Sequence, residues 1–245
     1  MNETIDINSE MAPAAAVPTP EPDAPAAATT PAPDYRFSRR IVTLSRPDSP
    51  EAEGIRSLHT HLMAGHVRDG RRGLAICSPG VGAGCTTVSV NLAVAFAQAG
   101  INTLLVDANL HQPGVEQMIQ PFTPATGLQQ LLTSDSEMQT DEVRHEILPN
   151  LSVLYAGGQD ARASQLIATR QFKQVIDDCM RDFEFTIVDT PAHGGSTDAR
   201  RVALSVRYAL IVARRNVTYL SEVKDFIEQL ETDRIRLVGS FLTDF

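Results

Sequence analysis

Short apolar runs recur along this chain, most of them followed by a polar turn and then by apolar residues at helical spacing. Leu74 to Cys77 is the first such run. After a loop holding Gly80, Gly82 and Gly84, residues Val88, Leu92, Ala95 and Phe96 fall on one helical face. Thr103 to Val106 reads as a buried strand that delivers Asp107 at its end, and Leu151 to Gly157 as the next strand. Gln165 to Met180 has the period of an amphipathic helix. Phe185 to Asp189 is a strand running into Asp189-Thr190-Pro191 and the loop His193-Gly194-Gly195. Tyr208 to Ala213 forms another strand, Leu220 to Leu230 a helix and Ile235 to Leu242 a last strand. Strands alternating with helices predict an α/β fold, a doubly wound and mostly parallel sheet with right-handed crossovers.

Upstream of the first run, Phe37 to Leu44 reads as a short strand or an extended arm. Ser49-Pro50-Glu51-Ala52-Glu53 is a helix start, with Ser49 as cap, proline at the first helical position and acids in the first turn. Ile55, Leu58 and Leu62 continue that helix, and Glu53, Arg56 and His59 recur every three residues as a polar set able to meet a partner helix. Gly127-Leu128 with Leu131-Leu132 predicts a short helix, and Asp135 to Glu142 an acidic loop. From Met11 to Pro33 alanine and proline dominate without apolar period, so no core can be buried there and disorder is expected. The expected division is a Pro/Ala-rich tail over residues 1–36 and one domain over 37–245. No internal repeat is visible.

Charge narrows the function. The formal net charge is −9, yet the first 34 residues hold six acids and no base, which leaves −3 for the rest. Such a near-neutral remainder argues against nucleic acid as a partner, because the phosphate backbone demands a basic face. The arginine pairs 39–40, 71–72, 200–201 and 214–215 are dispersed and read as solvated surface. Cys77, Cys85 and Cys179 match no metal or redox spacing and are expected as buried thiols, with Cys85 a candidate reactive thiol at a helix start. No apolar run approaches the length of a membrane span, and the acidic N-terminus lacks the basic start of a secretion signal.

The glycine loop carries the chemistry. Glycines let successive backbone N–H groups curl inward, and with the positive end of the following helix they make a phosphate cradle. A phosphate loop reads G-x-x-x-x-G-K-[ST]; in register, Gly84 is its last glycine, Thr86 its magnesium-binding hydroxyl, and Cys85 stands where lysine belongs. The chain has two lysines, Lys173 and Lys224, and no Lys or Arg between Arg72 and Arg144. A charge-assisted bond to phosphate contributes about 1.5–3 kcal/mol. The loop is therefore expected to keep its dipoles but to lack a local cation. Gly82, Ala83, Gly84, Cys85, Thr86 and Thr87 are the candidate cofactor-binding residues for ATP. Asp107 and Asp189, at strand ends beside the loop, are the candidate catalytic carboxylates, and with Thr86 the candidate Mg²⁺ site.

From about Ile41 to Phe245 the chain resembles the bacterial tyrosine autokinases of capsule and exopolysaccharide synthesis, a branch of the P-loop group that includes the septum-positioning and partition ATPases. The family's loop, roughly S-x-x-P-G-E/A-G-K-S/T-T followed by N-L-A, appears as Ser78 to Thr87 followed by Asn91-Leu92-Ala93. Its D-x-D-x-R-x-P appears as Asp107-Ala-Asn109-Leu-His111-Gln-Pro113, and its D-T-P as Asp189-Thr190-Pro191. Its helix pattern E-x-x-R-x-x-R, which serves ring assembly, appears as Glu53, Arg56 and His59. The departures are equally specific: Cys85 for lysine, Asn109 for the second aspartate, His111 for the arginine, Thr243-Asp244 for the adenine-side N-D, and no C-terminal tyrosine cluster.

The resemblance implies a degenerate member of that family. It would be a regulatory or scaffolding component of exopolysaccharide or capsule biosynthesis, on the cytoplasmic side of the inner membrane, acting with a chain-length or co-polymerase protein and able to self-associate through the Glu53/Arg56 helix. ATP and Mg²⁺ would bind weakly and would not be required. The competing reading is an active tyrosine kinase or ATPase that borrows a cation in trans, from Arg56 or the Arg200-Arg201 pair of a neighbour. Asn109 and His111 are expected to pair locally or act chemically with equal weight.

Overall fold

The computed structural model describes residues 35–133, 142–194 and 197–244. Most of the tail expected over 1–36, and the acidic loop apart from Glu142, lie outside them. In chain order the elements are β1 (Tyr35–Phe37), α1 (Val42–Ser45), α2 (Pro50–Leu62) running into a π-helical turn at Met63–Val67, β2 (Gly73–Cys77), α3 (Cys85–Gln98) and β3 (Thr103–Asp107). There follow α4 (Val115–Met118), β4 (Ile119–Pro121), α5 (Leu128–Thr133), β5 (Val143–Leu148), β6 (Leu151–Leu154), α6 (Ala163–Ile167) and α7 (Arg170–Asp182). The last are β7 (Phe185–Asp189), α8 (Asp198–Val206), β8 (Tyr208–Arg214), α9 (Leu220–Thr232) and β9 (Arg236–Thr243).

Seven strands form one sheet in the order β5-β6-β3-β7-β2-β8-β9. Every neighbouring pair is parallel except β5 with β6. The stretch over 37–44, expected as a short strand or an extended arm, is neither for most of its length: only Phe37 belongs to a strand, β1, which pairs antiparallel with β4, and Val42 to Ser45 make a single helical turn instead. Strands β2, β3 and β7 are buried at every position, as they must be with helices on both faces. On one face α5 to α9 close a core around Leu104, Phe172 and Val188. On the other α2, α3 and α4 pack around Leu74, Phe96 and Phe185. Among the described residues no helix is long and apolar enough to cross a membrane.

The helix start at Ser49 forms as its sequence predicts: its hydroxyl accepts from the Ala52 N–H at 3.2 Å. On α2, Glu53 and Arg56 pair at 2.7 Å. His59 departs from that polar set and sits edge-on to Phe96, ring centroids 4.6 Å apart. The helix expected over 165–180 is two helices. Thr169 interrupts it, because its hydroxyl caps α7 by accepting from Phe172 N at 3.1 Å. Helix α8 carries its buried side on Ala199, Val202, Ala203 and Val206, small residues whose period is faint in sequence. Strand β5 is likewise missing from the sequence reading, since an antiparallel edge strand with a register shift leaves little alternation.

Candidate nucleotide site

Strands β3, β7 and β2 lie side by side, so their C-terminal ends bring Asp107, Asp189 and the glycine loop to one place. Asp107 stands opposite Asp189 in register, and Asp189 stands opposite Ile76, just before the loop. This is the edge where ligands of open α/β sheets bind. Gly82 and Gly84 hold φ of +80° and +90°, a left-handed backbone that side-chain-bearing residues rarely adopt. These two glycines turn the chain so that α3 begins at Cys85, three residues before its apolar period. All six candidate loop residues, Gly82 to Thr87, line a cleft of about 240 Å³, together with Ser78, Asn109, Gly114 and Thr190.

The carboxylates are held differently. Thr86 donates its hydroxyl to Asp189 Oδ2 at 2.6 Å and Ser89 donates to Oδ1 at 2.8 Å. Ser89 follows Thr86 by three residues, so one face of α3 presents both hydroxyls to the strand end. Asp107 accepts from Asn109 N through Oδ1 and from Gly114 N and Val115 N through Oδ2, each at 3.0 Å. Both of its oxygens are thus committed to shaping the loop after β3. Burial raises both carboxyls above the ordinary aspartate range, offset at Asp107 by those backbone N–H groups and reinforced at Asp189 by the neighbouring Asp107. Among the described residues no cluster of three or more His, Cys, Asp or Glu is arranged to hold a metal alone. Thr86 with two carboxylates suits Mg²⁺, which keeps waters and shares phosphate oxygens rather than needing a protein cage.

Cys85 is half-buried in the first turn of α3. Burial, with a further contribution from Asp189, pushes its thiol well above the ordinary value, the opposite of what a helix start alone would do. That direction opposes the reactive-thiol reading. Cys77 and Cys179 are buried as expected, each pushed up to about 12 by burial. Asn109 pairs with a near neighbour in sequence and His111 with a distant residue. Asn109 Oδ1 accepts from Gln112 N at 3.1 Å, and His111 Nε2 lies 2.8 Å from Oδ2 of the buried Asp198. Thr243 donates to Ala83 O at 2.8 Å and so ties β9 to the loop. His193 stacks on Phe226 at 4.7 Å.

The expectation that the loop lacks a cation holds only along the sequence. In space, Arg40 donates from Nη2 to Thr87 Oγ1 at 2.7 Å and lines the cleft. Arg214 donates from Nη1 to Gly82 O at 3.2 Å. Neither has a local signal: Arg40 is 47 residues upstream of Thr87 and Arg214 is 132 downstream of Gly82. Asn91, in the N-L-A motif, organises the approach of Arg40, and its position one turn after Thr87 was the available clue. The cleft fits a nucleotide phosphate by its inward-turned backbone, its hydroxyls and its volume, and departs from the family's pattern at the lysine.

The family model of the AAA domain matches residues 72–236. The chain belongs to the bacterial tyrosine-kinase family of P-loop ATPases. Within it, the Staphylococcus aureus chain CapB is 28% identical over 179 residues, covering 73% of this chain and 78% of CapB. The succinoglycan biosynthesis transport protein ExoP of Rhizobium meliloti is 28% identical over 216 residues, covering 86% of this chain. This chain spans 27% of ExoP's length, so it corresponds to most of CapB but to about a quarter of ExoP. The kinase domain of the Escherichia coli tyrosine kinase ETK superposes with a TM-score of 0.76 at 25% identity, covering 83% of this chain and 79% of that one. These relatives are named for tyrosine-kinase and succinoglycan biosynthesis transport roles.

Proposed function

We propose that this chain is a regulatory or scaffolding component of exopolysaccharide or capsule biosynthesis and export that works by contact and does not transfer phosphate. One observation carries the reading: Cys85, uncharged and half-buried, occupies the phosphate-loop position from which family members extend a lysine. A loop without that lysine forgoes the charge stabilisation that phosphoryl transfer depends on. Asp107 supports the same conclusion, since a carboxylate whose two oxygens accept three backbone N–H groups serves as a loop anchor rather than as a base. The cations suggested for an in-trans mechanism have partners within the chain: Arg56 on Glu53 and Pro47 O, Arg200 on Asp233 and Gln229, and Arg201 on Ser164 O.

Gly82 to Thr87 would hold the phosphates of ATP, and Thr86 with Asp107 and Asp189 would hold Mg²⁺ through its water shell, where the ion supplies charge neutralisation. Weak nucleotide binding then remains available without catalysis. The proposed partner is an inner-membrane co-polymerase or chain-length protein, which would place the domain over residues 37–245 at the cytoplasmic face, with the 1–36 segment as a tether. The Glu53/Arg56 face of α2 is the proposed surface for self-association. The test is capture of this chain by the immobilised cytoplasmic segment of the co-polymerase, with and without Mg-ATP. Capture of equal strength in both conditions is expected; capture that requires ATP, or no capture, would contradict the proposal.

A further inference from the structure

The cation missing from the loop has a replacement that arrives from outside it. We propose that Arg40 takes the place of the loop lysine in binding, and that its guanidinium holds the phosphates of a nucleoside di- or triphosphate against the first turn of α3. This rests on the reading above that the cleft still accepts a nucleotide.

Arg40 lines the phosphate cleft and also an adjoining cavity of about 380 Å³ that shares Gly82, Gly84 and Thr87 with it. Its side chain therefore stands on the wall between the two. One of its five N–H donors is used on Thr87, and among the described residues no acidic side chain forms an ion pair with it. The remaining fork is planar, permanently charged and shaped for bidentate contact with phosphate. Arg214, bonded to Gly82 O, lines the same second cavity.

The placement of Arg40 is built rather than incidental. Asn91 is 1% exposed and donates its amide both to Arg40 O at 3.0 Å and to Thr87 O at 2.8 Å. Its Oδ1 accepts from Thr43 N and Thr43 Oγ1, each at 3.2 Å. One buried side chain thus clamps the incoming arm, at Arg40 itself and at Thr43, to the turn that Arg40 reaches. Burying an amide costs free energy unless its hydrogen bonds are made, and here all of them are made between the arm and α3.

The location also separates binding from transfer. Thr86 gives its hydroxyl to Asp189, whereas Thr87 accepts from Arg40, and consecutive helical residues point about 100° apart. The positive charge thus meets the phosphates on a different side of the helix start from the carboxylate pair. That arrangement retains a ligand without stabilising charge that would develop beside Asp189.

Titration calorimetry of the full chain with Mg-ADP, for wild type, Arg40→Ala and Arg40→Lys, tests this. Arg40→Ala is expected to weaken binding about ten- to a hundredfold, with Arg40→Lys recovering part of the loss. The affinity of wild type should fall more steeply with salt than that of Arg40→Ala. Melting curves identify a variant that fails to fold, and for such a variant Arg40→Gln, which removes the charge but keeps an N–H donor, takes its place. Equal affinity in wild type and the uncharged variant overturns the assignment, as does a wild type that ignores millimolar Mg-ADP. The latter leaves the contact function standing, whereas nucleotide turnover with Arg40-dependent binding would overturn the contact function and leave the Arg40 assignment intact.

Discussion

Cys85→Lys binds Mg-ATP about ten- to a hundredfold more tightly than the unaltered chain. The magnitude follows from one charge-assisted contact of about 1.5–3 kcal/mol, with every 1.4 kcal/mol amounting to about tenfold. The rest of the cradle is in place to use it. Gly82 and Gly84 already hold the left-handed turns, Thr86 is already oriented by Asp189, and residue 85 already faces the cleft. The substitution also removes a thiol that Asp189 disfavours as an anion and places a cation near the same carboxylate. Calorimetry measures the change directly. An unchanged affinity would mean that the cleft has lost more than its lysine.

Gly127→Ala is expected to lower the melting temperature by about 6–12 °C. Gly127 packs against the chain leaving β6: Leu128 N donates to Tyr155 O at 2.8 Å and Gln129 N to Ala156 O at 2.9 Å. A Cβ on Gly127 would lie 2.0 Å from Tyr155 O and 2.6 Å from its carbonyl carbon. Both are backbone atoms, so relief requires parting α5 from the strand end rather than turning a side chain. Overpacking of that kind costs about 3 kcal/mol, and each kcal/mol moves the midpoint by about 2–4 °C in a domain of this size. Thermal melting followed by circular dichroism checks it, and a midpoint within about 2 °C of wild type would show that the approach is looser than described.

What the sequence displays well is whatever its own local order encodes. The phosphate loop, Asp107 and Asp189 are legible because each closes a fully buried apolar strand, and three adjacent parallel strands must bring their ends together. The cap at Ser49 is legible for a similar reason, since its partner is three residues away. What stays hidden depends on distant chain. Arg40 reaches Thr87 only because Asn91 fastens the arm to α3. His111 finds Asp198 87 residues away, a partner that no local spacing announces. The period over 165–180 is continuous in apolar positions, so the break at Thr169 shows only in its capping bond.

The central claim, that this member of a kinase family acts without moving phosphate, is tested most directly by supplying the full chain with γ-labelled Mg-ATP, alone and with the co-polymerase segment. The expected result is no labelled protein and no phosphate release above the protein-free control in either condition. Transfer or hydrolysis approaching about 1 s⁻¹, the lower end of ordinary kinase turnover, would contradict it.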